Sequence, residues 1–265
     1  MKRYSLLIAG ATLLVLACGS WLATCRLSGT CASMAPPLRW PFAIVLAGGA
    51  LLGAMTLAWV ARVAWILAQG ARAVHRMQRA PAPSALSIGA ARAGALRVEC
   101  VTAEAPIAFC HGGLTPSILV STGLVSELSP DELLAVLAHE EHHVRRGDPL
   151  RRAMQQALAE VLFWLPVVDW WADRRQEISE LAADRAAIGR AGRSPLAGAL
   201  WKVGSYLETH GTAAFAGAAK LRVAQLLGDD LPYQRIPMSL WVGSAAGVLI
   251  ALNSAWCVAH LFGSA

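Results

Sequence analysis

The chain of 265 residues is long enough for one compact domain and a few membrane spans, and too short for several large domains. Hydrophobic residues make up 56% and charged residues only 15%, against about a quarter in an ordinary soluble domain, which argues against a purely soluble protein. The net charge of +6 gathers as arginines beside apolar runs, with no recognition motif or basic stripe, so anionic headgroups rather than nucleic acid are the expected counterpart.

Residues 5–24 and 41–61 carry no charge, and residues 240–262 carry only Asn253 and His260 as markedly polar groups. About 20 apolar residues cross ~30 Å of hydrocarbon, so three transmembrane helices are predicted. Lys2 and Arg3 precede the first span. Arg62, Arg72, Arg76, Arg79, Arg92 and Arg97 follow the second, and Arg235 precedes the third. By the positive-inside rule the N-terminus and residues 62–237 face the cytoplasm of a bacterial inner membrane, with residues 26–40 and the C-terminal tail outside. The first span loosely resembles a lipoprotein signal at Ala17-Cys18, but Leu16 fits that site poorly and retention is expected. Cys25 and Cys31 share the outside loop, as a disulfide or as two thiols. Cys100 and Cys110 are expected to stay reduced, and Cys18 and Cys257 sit in spans as small hydrophobes.

The predicted organisation is two transmembrane helices in residues 1–70, a basic extension and proline-rich linker in 71–96, an α+β domain in 97–232, and a last span in 237–263. Ala80-Pro81-Ala82-Pro83-Ser84 is the linker, because proline disfavours helix on both sides of itself. Residues 97–102, 107–110 and 117–122 read as strands, with a turn at His111-Gly112-Gly113. Ser129-Pro130-Asp131-Glu132 is a capping box that opens a helix with Leu133, Val136 and Leu137 on its buried stripe, closed at Gly147. Residues 161–168, bracketed by Glu160 and Asp169 and interrupted by Pro166, are too short to span. With Trp164, Trp170 and Trp171 they read as an interfacial helix near 157–172, or equally as a core helix. Helices over about 176–189 and 194–208 follow.

The capped helix carries His139-Glu140-Glu141-His142-His143. His139 and His143, four apart, project from one face and can share a tetrahedral zinc. Glu140 lies beside them, placed to take a proton from zinc-bound water and hand it to a leaving amine. A catalytic zinc needs a third protein ligand. Glu180 is assigned to it, with Asp184, four further on, accepting from the other ring nitrogen of His139. Glu177 on the same face is the reserve ligand. The competing reading is a solvated acidic face paired with Arg174, Arg175 or Arg185. His75, His111 and His260 have no partners at ligand spacing and read as surface or interfacial.

The stretch from Leu137 to Asp148 resembles the core motif of the BlaR/MecR-type membrane metallopeptidases, and Glu180-Leu181-Ala182-Ala183-Asp184 resembles their Glu-x-x-x-Asp helix. Ala105–Phe109 and Pro116–Leu124 look like the strands before the motif, so the likeness covers roughly residues 97–227. HtpX-type and CAAX-prenyl proteases share the same zinc logic. The resemblance implies a mainly α-helical membrane protein with a small α+β zincin-like (gluzincin) catalytic domain. Three departures stand out. Glu141 and His142 occupy positions usually uncharged or small, and His142 offers a false ligand. The extracellular sensor domain of the β-lactam receptors is not expected after residue 265. Only two spans precede the catalytic segment.

The family's transition-state donor is not obvious. His210, Tyr206 and Arg222 are the candidates, Arg222 by likeness to a recurring arginine of HtpX-type enzymes. The expected activity is zinc-dependent endoproteolysis, with substrate backbone adding to an edge strand near Ser117–Ser121. The resemblance implies a cytosolic transcriptional repressor, or the enzyme itself, as substrate; damaged membrane proteins are the second class. The rival is a non-catalytic membrane scaffold that keeps the zinc site, against which Glu140 argues, since a structural site needs no base.

Overall fold

A computed structural model describes residues 40–209, 216–228 and 235–263. The chain is mostly helical with one small sheet. Among the described residues the first element is α1 (Trp40–His75), followed by α2 (Ser84–Ala93), β1 (Val98–Val101), β2 (Ala108–His111), β3 (Ser117–Ser121), α3 (Thr122–Glu127) and α4 (Pro130–Arg146). Then come α5 (Asp148–Val161), α6 (Pro166–Ala191), α7 (Arg193–Thr209), α8 (Ala216–Leu227) and α9 (Met238–Gly263).

Two compact units divide the chain. One comprises Trp59–Glu160 and Trp170–Arg235; the other takes the chain up to Ala58, Val161–Asp169 and the segment from Ile236. Among the described residues, one helical stretch is long and apolar enough to cross a membrane, Gly48–His75 within α1. The predicted span 5–24 lies outside the described residues. The predicted third span coincides with α9, whose apolar stretch is Met238–Ser254. Small residues let α9 approach the turn before α6 and the first residues of that helix: Val167 N–H donates to Ser244 Oγ at 3.1 Å, and a Cβ on Gly247 would stand 2.2 Å from the Trp164 carbonyl oxygen.

Residues 157–172 are not one interfacial helix. They are the end of α5, a turn at 162–165 and the start of α6. Pro166 is the reason: it lacks an N–H and has a fixed φ suited to a first helical position, so it begins a helix where it cannot continue one.

The larger unit is built around α4. Ser129 Oγ accepts from Glu132 N–H at 3.4 Å, and Glu132 accepts from Ser129 N–H at 2.7 Å, completing the capping box. Gly147 ends the helix in the left-handed region at φ 66°, where a Cβ would be strained. Leu133 and Leu137 pack into a core with Leu86, Ile118, Val120 and Leu124. Leu86 belongs to α2, a helix in the segment read as linker and extension. Its signal was the Ala-rich run after Pro83, closed by the left-handed Gly94.

The sheet order is β1-β3-β2, with β1 parallel and β2 antiparallel to β3. Ser117–Ser121 is therefore the central strand, which corrects the expectation of an open edge there. All five of its residues are buried, because it pairs on both sides and is covered on both faces. The outer side of β1 is engaged by residues 78–80 through Ala80 N–H to Cys100 O and Thr102 N–H to Gln78 O, leaving β2 as the sheet edge among the described residues.

Candidate metal centre

The C-terminal half of α4 meets the middle of α6. His139 and His143 stand one turn apart on α4, and their Nε2 atoms are 3.2 Å apart. Glu180 arrives from α6, with Oε2 at 3.3 Å from His139 Nε2 and Oε1 at 3.6 Å from His143 Nε2. The donor atoms of these three residues lie within 4.8 Å of one another, and no other trio of His, Cys, Asp or Glu among the described residues gathers so closely.

Carboxylates stand behind both imidazoles. His143 Nδ1 is 2.8 Å from Asp148 Oδ2, which also accepts from Ser179 Oγ at 2.6 Å. His139 Nδ1 is 2.9 Å from Asp184 Oδ1, at ion-pair distance but outside the angle of a full hydrogen bond. Asp184 is fully buried and accepts a two-pronged contact from Arg222, whose Nε and one terminal nitrogen each donate at 2.7 Å. Arg222 also lies 3.8 Å from Glu180, and Arg152 of α5 donates to Glu180 Oε1.

The electrostatics of the pocket couple these groups tightly. Burial disfavours a charged imidazole, yet the carboxylates of Asp184 and Glu180 outweigh it and push His139 up to about 9. Burial lowers His143, and the neighbouring His139 lowers it further, with Asp148 pulling back only in part. Burial also works against a charged Glu180, but His139 and Arg152 hold it well below the usual carboxylate range. The donor atoms of His139, His143 and Glu180 gather within reach of one point. Two nitrogens each ~2.0 Å from a tetrahedral zinc stand ~3.3 Å apart, which matches the observed spacing of 3.2 Å between the two Nε2 atoms. The residues present fit zinc.

The remaining expectations distribute around that point. Glu140 is half-buried on α4. Burial pushes the Cys110 thiol of β2 up to about 12; the Glu140 charge adds to this and Arg152 opposes it, so all three share one electrostatic neighbourhood. Glu177 pairs with Arg174 at 2.8 Å and stays out of the trio. Buried Glu141 accepts from Arg145 at 2.9 Å, and His142 is likewise absent from the trio. His111 is half-buried rather than free on the surface, 3.1 Å from Ser117 Oγ and 3.6 Å from Glu99. Tyr206 is half-buried on α7, and His210 lies outside the described residues. Sequence reasoning assigned no role to Asp148 or Arg152. The signal for Asp148 was its place directly after the helix-ending Gly147, where the chain turns back toward His143.

Two helices converge a His, His and Glu set that could hold a metal ion, and among the described residues one helical stretch is of membrane-spanning length. The model of the BlaR1 peptidase M56 family matches residues 41–218, and the chain belongs to that family. It is also similar to a protease HtpX homolog of Janthinobacterium sp. (strain Marseille), 41% identical over 73 residues, or 26% of this chain and 25% of that protein. The protease HtpX of Acinetobacter baylyi is 46% identical over 59 residues, 22% of this chain and 20% of that one. A homolog from Bordetella avium is 38% identical over 88 residues, 31% and 30% of the two chains. The chain thus spans about a quarter of the length of the curated relatives it matches.

Proposed function

We propose that this protein is a zinc-dependent endopeptidase, with His139, His143 and Glu180 holding the metal and Glu140 moving the proton. The convergence of three donor atoms within 4.8 Å carries this reading. Zinc, when bound, acts as a Lewis acid on the attacking water and the scissile carbonyl. Glu140 accepts a proton from the water as the new C–O bond forms, and returns it to the amine nitrogen as the C–N bond breaks. Asp148 and Asp184 orient the two imidazoles. Arg222 acts through Asp184, and its engagement there favours Tyr206 or His210 over Arg222 as the donor to the oxyanion.

Substrate backbone adds to the outer side of β2, the sheet edge that shares its surroundings with Glu140 through Cys110. The arginine asymmetry puts the site on the cytoplasmic face of a bacterial inner membrane. Its substrates there are a cytosolic repressor or the enzyme itself in a signalling role, or damaged membrane proteins in a quality-control role.

Metal content and peptide cleavage of Glu140→Gln test the mechanism. Gln keeps size and polarity but cannot take the proton, so zinc stays near wild-type while cleavage falls by ~10²- to 10⁴-fold. Cleavage at the wild-type rate would end this reading and make Glu141 the next base to test. Zinc binding without cleavage by the wild type across a broad peptide library would favour the scaffold.

A further inference from the structure

Leu96 and Leu114 are the most exposed large hydrophobic residues among those described, at 94% and 90%. Both lie at one end of the sheet. Leu96 precedes β1, and Leu114 sits in the turn between β2 and β3, where β3 begins beside the start of β1: Ile118 N–H donates to Arg97 O at 2.8 Å. That turn is packed on α1, since a Cβ on Gly113 would stand 3.3 Å from Leu67 Cδ1.

The direction of the sheet relative to α1 follows from two contacts. The turn meets Leu67, whereas Leu119 and Phe109 at mid-sheet and Val101 at the far end of β1 pack with Val74 and Met77. Val74 lies ~10 Å further along the helix than Leu67. The leucine-bearing end of the sheet therefore points back toward the apolar part of α1, and the end with residues 102–107 points away. At 36 residues α1 is ~54 Å long, well beyond the ~30 Å of hydrocarbon it would cross. Trp65, half exposed and stacked under the Arg72 guanidinium, marks the interfacial stretch, and Leu67 follows ~3 Å beyond it.

We propose that the β2–β3 turn, with Leu114 at its tip and Leu96 beside β1, rests in the headgroup layer of the bilayer that α1 enters. Leucines exposed to 94% and 90% gain by leaving water, and the turn that carries Leu114 packs on α1 at Leu67. Arg97, next to Leu96, supplies charge for anionic headgroups. The open edge of β2 then stands at the membrane surface, so a peptide bound there is a segment close to the bilayer. The inference rests on α1 crossing the membrane.

The test is photocrosslinking of the full chain in vesicles of phosphatidylethanolamine and phosphatidylglycerol. A benzophenone amino acid replaces Leu114, Leu96, Leu57 or Glu104 in turn, Leu57 reporting the span and Glu104 the far end of the sheet. The expected result is phospholipid adducts at positions 114, 96 and 57, with yields severalfold above that at 104. Adducts at 57 but none at 114 and 96 overturn the proposal and leave the span intact. Absence of adducts at 57 overturns the span itself. Adducts at 114 to a second copy or to another protein also overturn it, and identify a protein interface instead.

Discussion

Asp184 has no solvent exposure; burial works against its charge, and His139 and Arg222 together hold the carboxyl below its ordinary value. Arg222→Met leaves the buried carboxylate with His139 as its remaining partner, a change expected to cost up to ~3–5 kcal/mol in denaturant unfolding. Retained stability would mean that Asp184 is neutralised by another group. Behind the other imidazole, Asp148→Asn keeps an acceptor for His143 but loses the charge that holds the ring. The fold is expected to survive while zinc affinity falls ~10- to 100-fold in chelator competition. Unchanged affinity would remove Asp148 from the centre. The His139 and His143 pair was legible because four residues close one helical turn. Asp148 was not, because it lies beyond a chain reversal that has no periodicity.

The capping box of α4 governs how firmly the histidine helix is held. Ser129→Ala removes the acceptor for Glu132 N–H and is expected to cost ~1 kcal/mol in thermal or denaturant unfolding. Glu132 adds a pH dependence of definite sign. Its hydrogen bond from Lys202 at 2.8 Å holds the carboxyl below its ordinary value, and burial opposes this only in part. A depressed carboxylate contributes stability above the unfolded value of about 4.3 and loses it as pH falls through the folded one. Glu132→Gln is therefore expected to be less stable than wild type at neutral pH, with the gap closing as pH falls below about 4.3. A constant gap in melting temperature would show that Lys202 contributes no charge-dependent support. The box was readable in sequence, being entirely local. The sheet order was not, since three short runs 98–101, 108–111 and 117–121 permit several pairings and only the tertiary cover selects β3 as the centre.

Taken whole, the molecule concentrates its arginines between residues 62 and 237, whereas the predicted outside loop of residues 26–40 carries only Arg26 and Arg39, and orientation is a property of the entire chain. Reporter fusions after Ala82 and after Arg235 are expected to report cytoplasm, and a fusion after Gly263 to report the outside. An outside signal after Ala82 would put the candidate centre on the face opposite to any cytosolic substrate.

Sequence alone determined the apolar character, the helix carrying His139, Glu140 and His143, its start at Ser129 and its stop at Gly147, because each is written in neighbours within a turn or two of one another. Tertiary structure decided what meets that helix. Glu180 and Asp184 are separated from His143 by a helix, a turn and a half-helix, and only packing of α6 against α4 brings them to the imidazoles. Arg152 and Arg222 reach the same carboxylates from α5 and α8. The physical reason is that local spacing fixes which side chains share a face, whereas a three-ligand cluster with its counter-charges is assembled from faces of different elements, and its energy exists only once they are packed.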